Sequence, residues 1–147
     1  DEGFKEKATA LIQASWRGKK ILCPDTYFVT TEEAEMAKIF RNTFLATKVA
    51  FCNEFYQFCQ LKGIDYENVR RLGTADPRIG ESHSWVPGHD GHFGYGGTCF
   101  PKDTNSLKHE MEKGGMKTYV LKAVVERNEK VDRPEKDWMG DKGRAVV

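Results

Sequence analysis

Apolar residues recur at three- and four-residue spacing along most of this chain, a pattern that predicts helices almost throughout. Residues 4–15 place Phe4, Ala8, Leu11 and Ile12 on one face of a first helix, and residues 20–23 read as a short strand ahead of Pro24. Thr30 or Thr31 caps the next helix, whose first turn holds Glu32, Glu33 and Glu35 where the helix dipole favours them. No proline or glycine interrupts that helix before Gly63, so it runs for about 30 residues, or roughly 45 Å. Two apolar stripes follow it. One carries Ala37, Phe40, Phe44, Phe51, Phe55 and Phe58, and the other Leu45, Val49, Cys52, Tyr56 and Cys59. Their combined width exceeds a single amphipathic stripe, so the helix needs cover on more than one side. A chain of 147 residues supplies little of it, and pairing with a second copy along this helix is the expectation; burial wholly within the chain is the other.

Asp65 caps a short helix through Val69 and Leu72, and a loop over residues 73–97, rich in Gly, Pro and Ser, follows. A helix carrying Lys102, Asp103, Leu107 and Met111 stops at Gly114-Gly115. The last helix is expected over 118–131, with Val120, Leu121, Val124 and Val125 inward, before a charged tail from Asp132 and an orphan strand at 143–147.

Composition narrows the class. With 39% hydrophobic and 31% charged residues the chain is an ordinary globular domain, and a net charge of +1 argues against nucleic acid as the main partner. No apolar run is long enough to span a bilayer, and no signal-peptide order opens the chain; a cytoplasmic location is expected. Cys52 and Cys59 lie two turns apart on one helix, about 10 Å and too far to bridge, so the four cysteines read as reduced. His83, His89, Asp90 and His92 cluster in the loop, but their spacing matches no ligand pattern and no C-x-x-C pair exists; no metal site is expected.

The chemistry concentrates at Gly94-Tyr95-Gly96-Gly97-Thr98-Cys99-Phe100-Pro101-Lys102-Asp103-Thr104. Glycines let the backbone approach a ligand closely, and Pro101 suits the first turn of a helix. Cys99 therefore sits at the positive end of a helix dipole with Lys102 one turn on, two features that favour thiolate over thiol. Such a sulfur attacks carbonyl carbon, Lys102 can stabilise the oxyanion formed, and Asp103 can move protons. The alternative is a small buried hydrophobe ahead of a solvated first turn.

This run resembles the nucleophile motif of the nucleotide-sugar dehydrogenases, and its Cys-Phe-Pro-Lys-Asp core is most similar to the UDP-glucose 6-dehydrogenase branch. Residues 35–48, with Lys38 and Asn42 four apart, resemble the start of the family's long central helix. Asp76-Pro77-Arg78-Ile79-Gly80, then Ser82-His83 and Val86-Pro87-Gly88, supply a third match in the same order, and the similarity covers residues 30 to 145. The resemblance implies a mainly α fold, a helical central dimerisation domain built on one long helix as in the 6-phosphogluconate dehydrogenase C-terminal-like fold, with a short α/β remnant at the N-terminus. It divides the chain into 1–29, the end of an NAD-binding domain; 30–131, the central domain; and 132–147, a tail.

The implied reaction is a two-step, NAD-dependent oxidation of UDP-glucose or a related nucleotide sugar, from a C6 alcohol to a carboxylate. Cys99 captures the aldehyde as a thiohemiacetal that becomes a thioester; Lys38 and Asn42 steady the C6 oxygen, and Asp103 handles protons and the hydrolytic water. Arg78 matches an arginine that reaches the nucleotide sugar, in some members from the neighbouring subunit; His83, Tyr95, Gly96 and Gly97 fall on the substrate side. The implied partner is a second copy, in a homodimer through the long helix. GDP-mannose dehydrogenation and a non-catalytic dimerisation module are the alternatives. The chain departs from the family in having no G-x-G-x-x-G turn and no Pro-Glu-Phe segment, so it reads as a central piece expected not to bind NAD or turn over in isolation.

Overall fold

The computed structural model describes residues 2–21 and 23–140. The chain divides into two compact units, Asp1–Met36 and Ala37–Val147. In the first, helix α1 (Glu2–Arg17) buries none of its residues; Phe4 is 67% exposed and Leu11 69%. Its end is closed by Lys19 in the left-handed region, where Lys20 N–H reaches the Ser15 carbonyl at 2.9 Å. The strand expected over 20–23 is absent: Lys20, Ile21 and Cys23 are irregular, and Leu22 lies outside the described residues. A strand needs a neighbouring edge to bond to, and no described residue is in a strand.

Helix α2 (Thr31–Lys62) runs unbroken for 32 residues, as the lack of breakers requires. Thr30 is its cap. Its hydroxyl accepts from Glu33 N–H at 3.2 Å while the Glu33 carboxylate accepts from Thr30 N–H at 2.7 Å, a reciprocal capping box. Gly63, with φ of 66°, ends the helix, and Asp65 caps α3 (Tyr66–Thr74) through Glu67 N–H at 2.9 Å. Helix α4 (Cys99–Lys113) stops at Gly114, as its sequence predicts. Helix α5 (Tyr119–Arg127) passes into a π-helical turn, Asn128–Asp132, and a short 3-10 turn, Asp137–Met139, follows. The protein is mainly helical, as expected.

Two clusters form the core of the second unit. Ala46, Ala50, Tyr95 and Val124 pack with Val49 and Phe100, joining α2, α5 and the loop ahead of α4. Cys52, Cys59 and Tyr66 pack with Tyr56, Val69 and Val86, joining α2 to α3. The second apolar stripe of α2 is thus covered by the chain itself. The first is not: Phe40, Phe44, Phe51, Phe55 and Phe58 are exposed, Phe40 by 67% and Phe51 by 66%.

The last helix departs from expectation in one respect. Val124 and Val125 are buried and Leu121 half-buried, but Val120, in the first turn, is 65% exposed. The segment after Asp132, read as a charged tail, is partly buried: Arg133 pairs with Asp90 at 2.6 Å and with Asp137. The strand expected at 143–147 lies outside the described residues.

Candidate functional site

Cys99 is the first residue of α4 and is exposed; its Sγ lies 4.0 Å from the Thr98 hydroxyl. Thr98 has helical dihedrals and no side chain caps the helix there. The first-turn N–H groups therefore keep their bonding capacity for whatever meets the thiol. Pro101 is buried in that first turn, and Thr104, fully buried, donates from its hydroxyl to the Phe100 carbonyl at 2.7 Å, tightening it.

One turn beyond Cys99 on the same face stands Asp103, 5% exposed. Asn42, half-buried on α2, donates from Nδ2 to its Oδ2 at 2.6 Å, and Lys102 pairs with its other oxygen at 3.1 Å. Burial pushes the Asp103 carboxyl up, but the Asn42 and Lys102 hydrogen bonds and the charges of Lys102 and Lys38 outweigh it and hold it below the ordinary carboxylate range. An ionised carboxylate is therefore fixed between two helices. Of the five predicted chemical residues, Asn42, Lys102 and Asp103 are in contact here, the charge of Lys38 acts on Asp103, and Cys99 is on the same face of α4 as Asp103.

The residues expected on the substrate side are spread more widely. His83, with φ of 61°, packs its ring 5.5 Å from that of Phe100, next in sequence to Cys99. Its Nδ1 is buried without a hydrogen-bond partner, and burial, then the charges of Lys48 and His89, hold it below the ordinary imidazole range. It is a neutral ring at pH 7. Arg78 is exposed and pairs with Asp76 in its own turn; Lys48 on α2 anchors that turn by donating to the carbonyls of Ile79 at 2.9 Å and Gly80 at 2.7 Å. Tyr95 is 4% exposed and part of the core, with burial pushing its hydroxyl up to about 12. Gly97, with φ of 67°, has open space around it, whereas a Cβ at Gly96 would collide with the Arg133 guanidinium.

Sequence reasoning missed the residues that hold this loop. Asn53, 2% exposed, accepts from Gly94 N–H at 3.1 Å, and Asn128, 1% exposed, brackets Tyr95 by accepting from its N–H at 2.8 Å and donating to its carbonyl at 2.9 Å. The available signal was an Asn on the inward line of a helix, Val49 to Asn53 and Val124 to Asn128.

Gly97, Thr98, Pro101, Lys102, Asn105, Glu129, Lys136, Trp138 and Met139 line an open hollow of about 570 Å³ at the start of α4. A more apolar cavity of about 270 Å³ lies between α2 and α3, lined by Phe51, Cys52, Phe55, Tyr66 and Val69 among others. Among the described residues no group of three His, Cys, Asp or Glu is placed to hold a metal ion, and no helix is long and apolar enough to cross a membrane.

Residues 32–130 match the central domain of the UDP-glucose/GDP-mannose dehydrogenase family. The chain is similar to bacterial UDP-glucose 6-dehydrogenases. The Pseudomonas aeruginosa enzyme is 46% identical over 96 residues, which cover 65% of this chain and 20% of that protein. The Streptococcus pneumoniae enzyme is 38% identical over 100 residues, 68% of this chain and 24% of that protein. The Campylobacter jejuni enzyme is 34% identical over 105 residues, 71% and 25%. The matched stretch thus amounts to between 20% and 25% of the length of these relatives.

Proposed function

This chain belongs to the UDP-glucose/GDP-mannose dehydrogenase family, whose central domain it carries, and from that premise we propose that Cys99 is the nucleophile in the oxidation of UDP-glucose to UDP-glucuronate. The observation that supports this most directly is the 2.6 Å hydrogen bond from Asn42 to Asp103. It joins the central-helix motif to the nucleophile motif in one polar site. A module used only for dimerisation has no need of an ionised, nearly buried carboxylate beside an exposed thiol.

The chemistry follows from the groups present. Sulfur of Cys99 attacks C6 of the aldehyde, a C–S bond forms, and the carbonyl π pair moves to oxygen. Lys38, Asn42 and the first-turn N–H groups of α4 stabilise that oxygen. In the hydrolytic step Asp103 accepts a proton from water as it adds to the thioester; the C–S bond then breaks and its electron pair returns to sulfur. The two oxidations remove four electrons, which NAD accepts in this family. The described residues do not fit that cofactor: they include no strand, hence no strand-to-helix turn to hold a dinucleotide. His83 is neutral and suited to hydrogen-bond a sugar hydroxyl, with Tyr95, Gly96 and Gly97 shaping the approach. The open Phe stripe of α2 supports a homodimer through that helix, a reading under which Arg78 serves one protomer or its partner. We assign residues 30–131 to the central domain and 1–29 to the end of an NAD-binding one.

The experiment follows NADH formation from NAD+ and UDP-glucose, with an NAD-binding domain of the family supplied in trans, GDP-mannose as the competing substrate, and Cys99→Ser as control. Turnover with UDP-glucose that the substitution lowers at least 1,000-fold is expected, on the scale of losing a covalent nucleophile (about 10⁴ or more). Acid formation surviving in Cys99→Ser would remove the nucleophile assignment, and preference for GDP-mannose would replace the substrate.

A further inference from the structure

The loop that delivers Cys99 to α4 is held from behind by two carboxamides, and one of them does more than fill space. Asn128 opens the π-helical turn Asn128–Asp132, and that extra residue in the turn brings Asn128, Asp132 and Arg133 together against the loop. Its side chain satisfies both backbone groups of Tyr95, N–H at 2.8 Å and carbonyl at 2.9 Å, at 1% exposure. Gly94 beside it has φ of 66°, and a Cβ there would collide with the same Asn128 oxygen. Asn53, on α2, accepts from the Gly94 N–H at 3.1 Å. The backbone is therefore fixed four and five residues before the thiol. Tyr95 in turn meets Phe100 edge-on, ring centres 6.3 Å apart, just past Cys99.

We infer that Asn128 is a positioning residue for Cys99: its carboxamide, acting through Tyr95 and Phe100, sets where α4 begins and so holds the sulfur in line with the helix N-terminus. The inference rests on the reading of Cys99 as nucleophile. It requires a group that donates and accepts at once with the shape of Asn. A neutral carboxylic acid meets that requirement and a carboxylate does not, since an ionised carboxylate only accepts. Asn128→Asp is therefore the informative variant, poor at pH 7 and restored as its acid protonates on lowering the pH.

The measurement is the rate of iodoacetamide alkylation at Cys99, in a Cys23→Ser background that leaves Cys99 as the exposed thiol. Helical content is read by circular dichroism on the same samples. Asn128→Asp is expected to keep its helices, to react at least threefold more slowly than the parent at pH 7, and to approach the parent's rate as both are taken to pH 5. Asn128→Ala is expected to be slow at both pH values; if it loses its helices, Asn128→Asp alone carries the test. A rate within a factor of 1.5 of the parent at every pH from 5 to 9, in a folded Asn128→Asp variant, overturns the inference, as does a deficit that does not change with pH. Because no nucleotide sugar or cofactor is present, this outcome is separate from the turnover experiment. Slow alkylation with no turnover in any form would instead reject the proposed reaction.

Discussion

Two lines of residues at helical spacing along α2 do opposite things. The inward line is small or polar: Thr43, Ala46, Ala50 and Asn53 are all 5% exposed or less. The outward line is aromatic, and Phe40, Phe44 and Phe51 are all 59% exposed or more. Small side chains allow a backbone to come close, and it is against them that Tyr95, Val124 and the loop ahead of Cys99 are packed. Large aromatics expose area at little conformational cost, which suits a surface completed from outside the chain. Small side chains mark the face that meets the loop ahead of α4, and large aromatics the face left exposed.

Reversing that volume difference should give the largest effect. Ala46 has no exposed surface, so Ala46→Phe has no room to enter and should destabilise the chain by about 3 kcal/mol through overpacking. The mirror change, Phe44→Ala, should alter the stability of the separate chain by no more than about 0.5 kcal/mol, because its ring meets water already. Urea titration of both variants at a concentration where the protein is monomeric reads the contrast. Equal losses would mean that the two faces are not different in the way described. At higher concentration, Phe44→Glu paired with Phe51→Glu should lower the mass measured by light scattering to that of one chain, and an unchanged mass would remove the proposed homodimer from this face.

Asn53→Ala ranks next. It leaves the buried Gly94 N–H without an acceptor, at about 2 kcal/mol. Asn53→Gln has the same chemistry but one methylene too many for a residue 2% exposed, and should also fall short of the parent. A thermal shift near zero for Asn53→Ala would mean that the loop is held by Asn128 alone.

Those two carboxamides also mark where reading the sequence stopped working. Helix α2 was legible because nothing breaks it and because Thr30 carries local capping chemistry, α3 because Asp65 does, and α4 from Pro101 in its first turn and the stop at Gly114. The candidate site residues Lys38, Asn42, Lys102 and Asp103 came from motifs whose order is visible in one dimension. That Asn42 bonds Asp103, 61 residues away, was not visible, because a hydrogen bond across helices leaves no periodicity. Asn53 and Asn128 sit 41 and 33 residues from the backbone they hold, and on a helix an Asn reads as surface unless its neighbours on the same line are seen to be buried. At Tyr95 it was the packing that sequence did not show. Its place in a Gly-rich motif pointed to substrate, while its side chain is core.

The smallest effect expected is also the most specific to the inward face. Asp103 is held below the ordinary carboxylate range, so its stabilising contribution is present above the unfolded value, about 3.9, and is lost as pH falls through the lower folded value. Asp103→Asn keeps an acceptor for Asn42 but drops the charge facing Lys102 and Lys38, at about 1 kcal/mol near neutrality. Asp90 and Asp137 are also held low by Arg133, so the acid limb of the parent alone does not isolate this group. The difference between parent and variant does. It should be flat from pH 8 down to about 5 and shrink below the unfolded Asp value, because only then does the parent's carboxylate become as neutral as the amide that replaces it. A difference that persists unchanged into strong acid would mean that the cost is steric, and that the Asn42–Asp103 pair is not held by its charge.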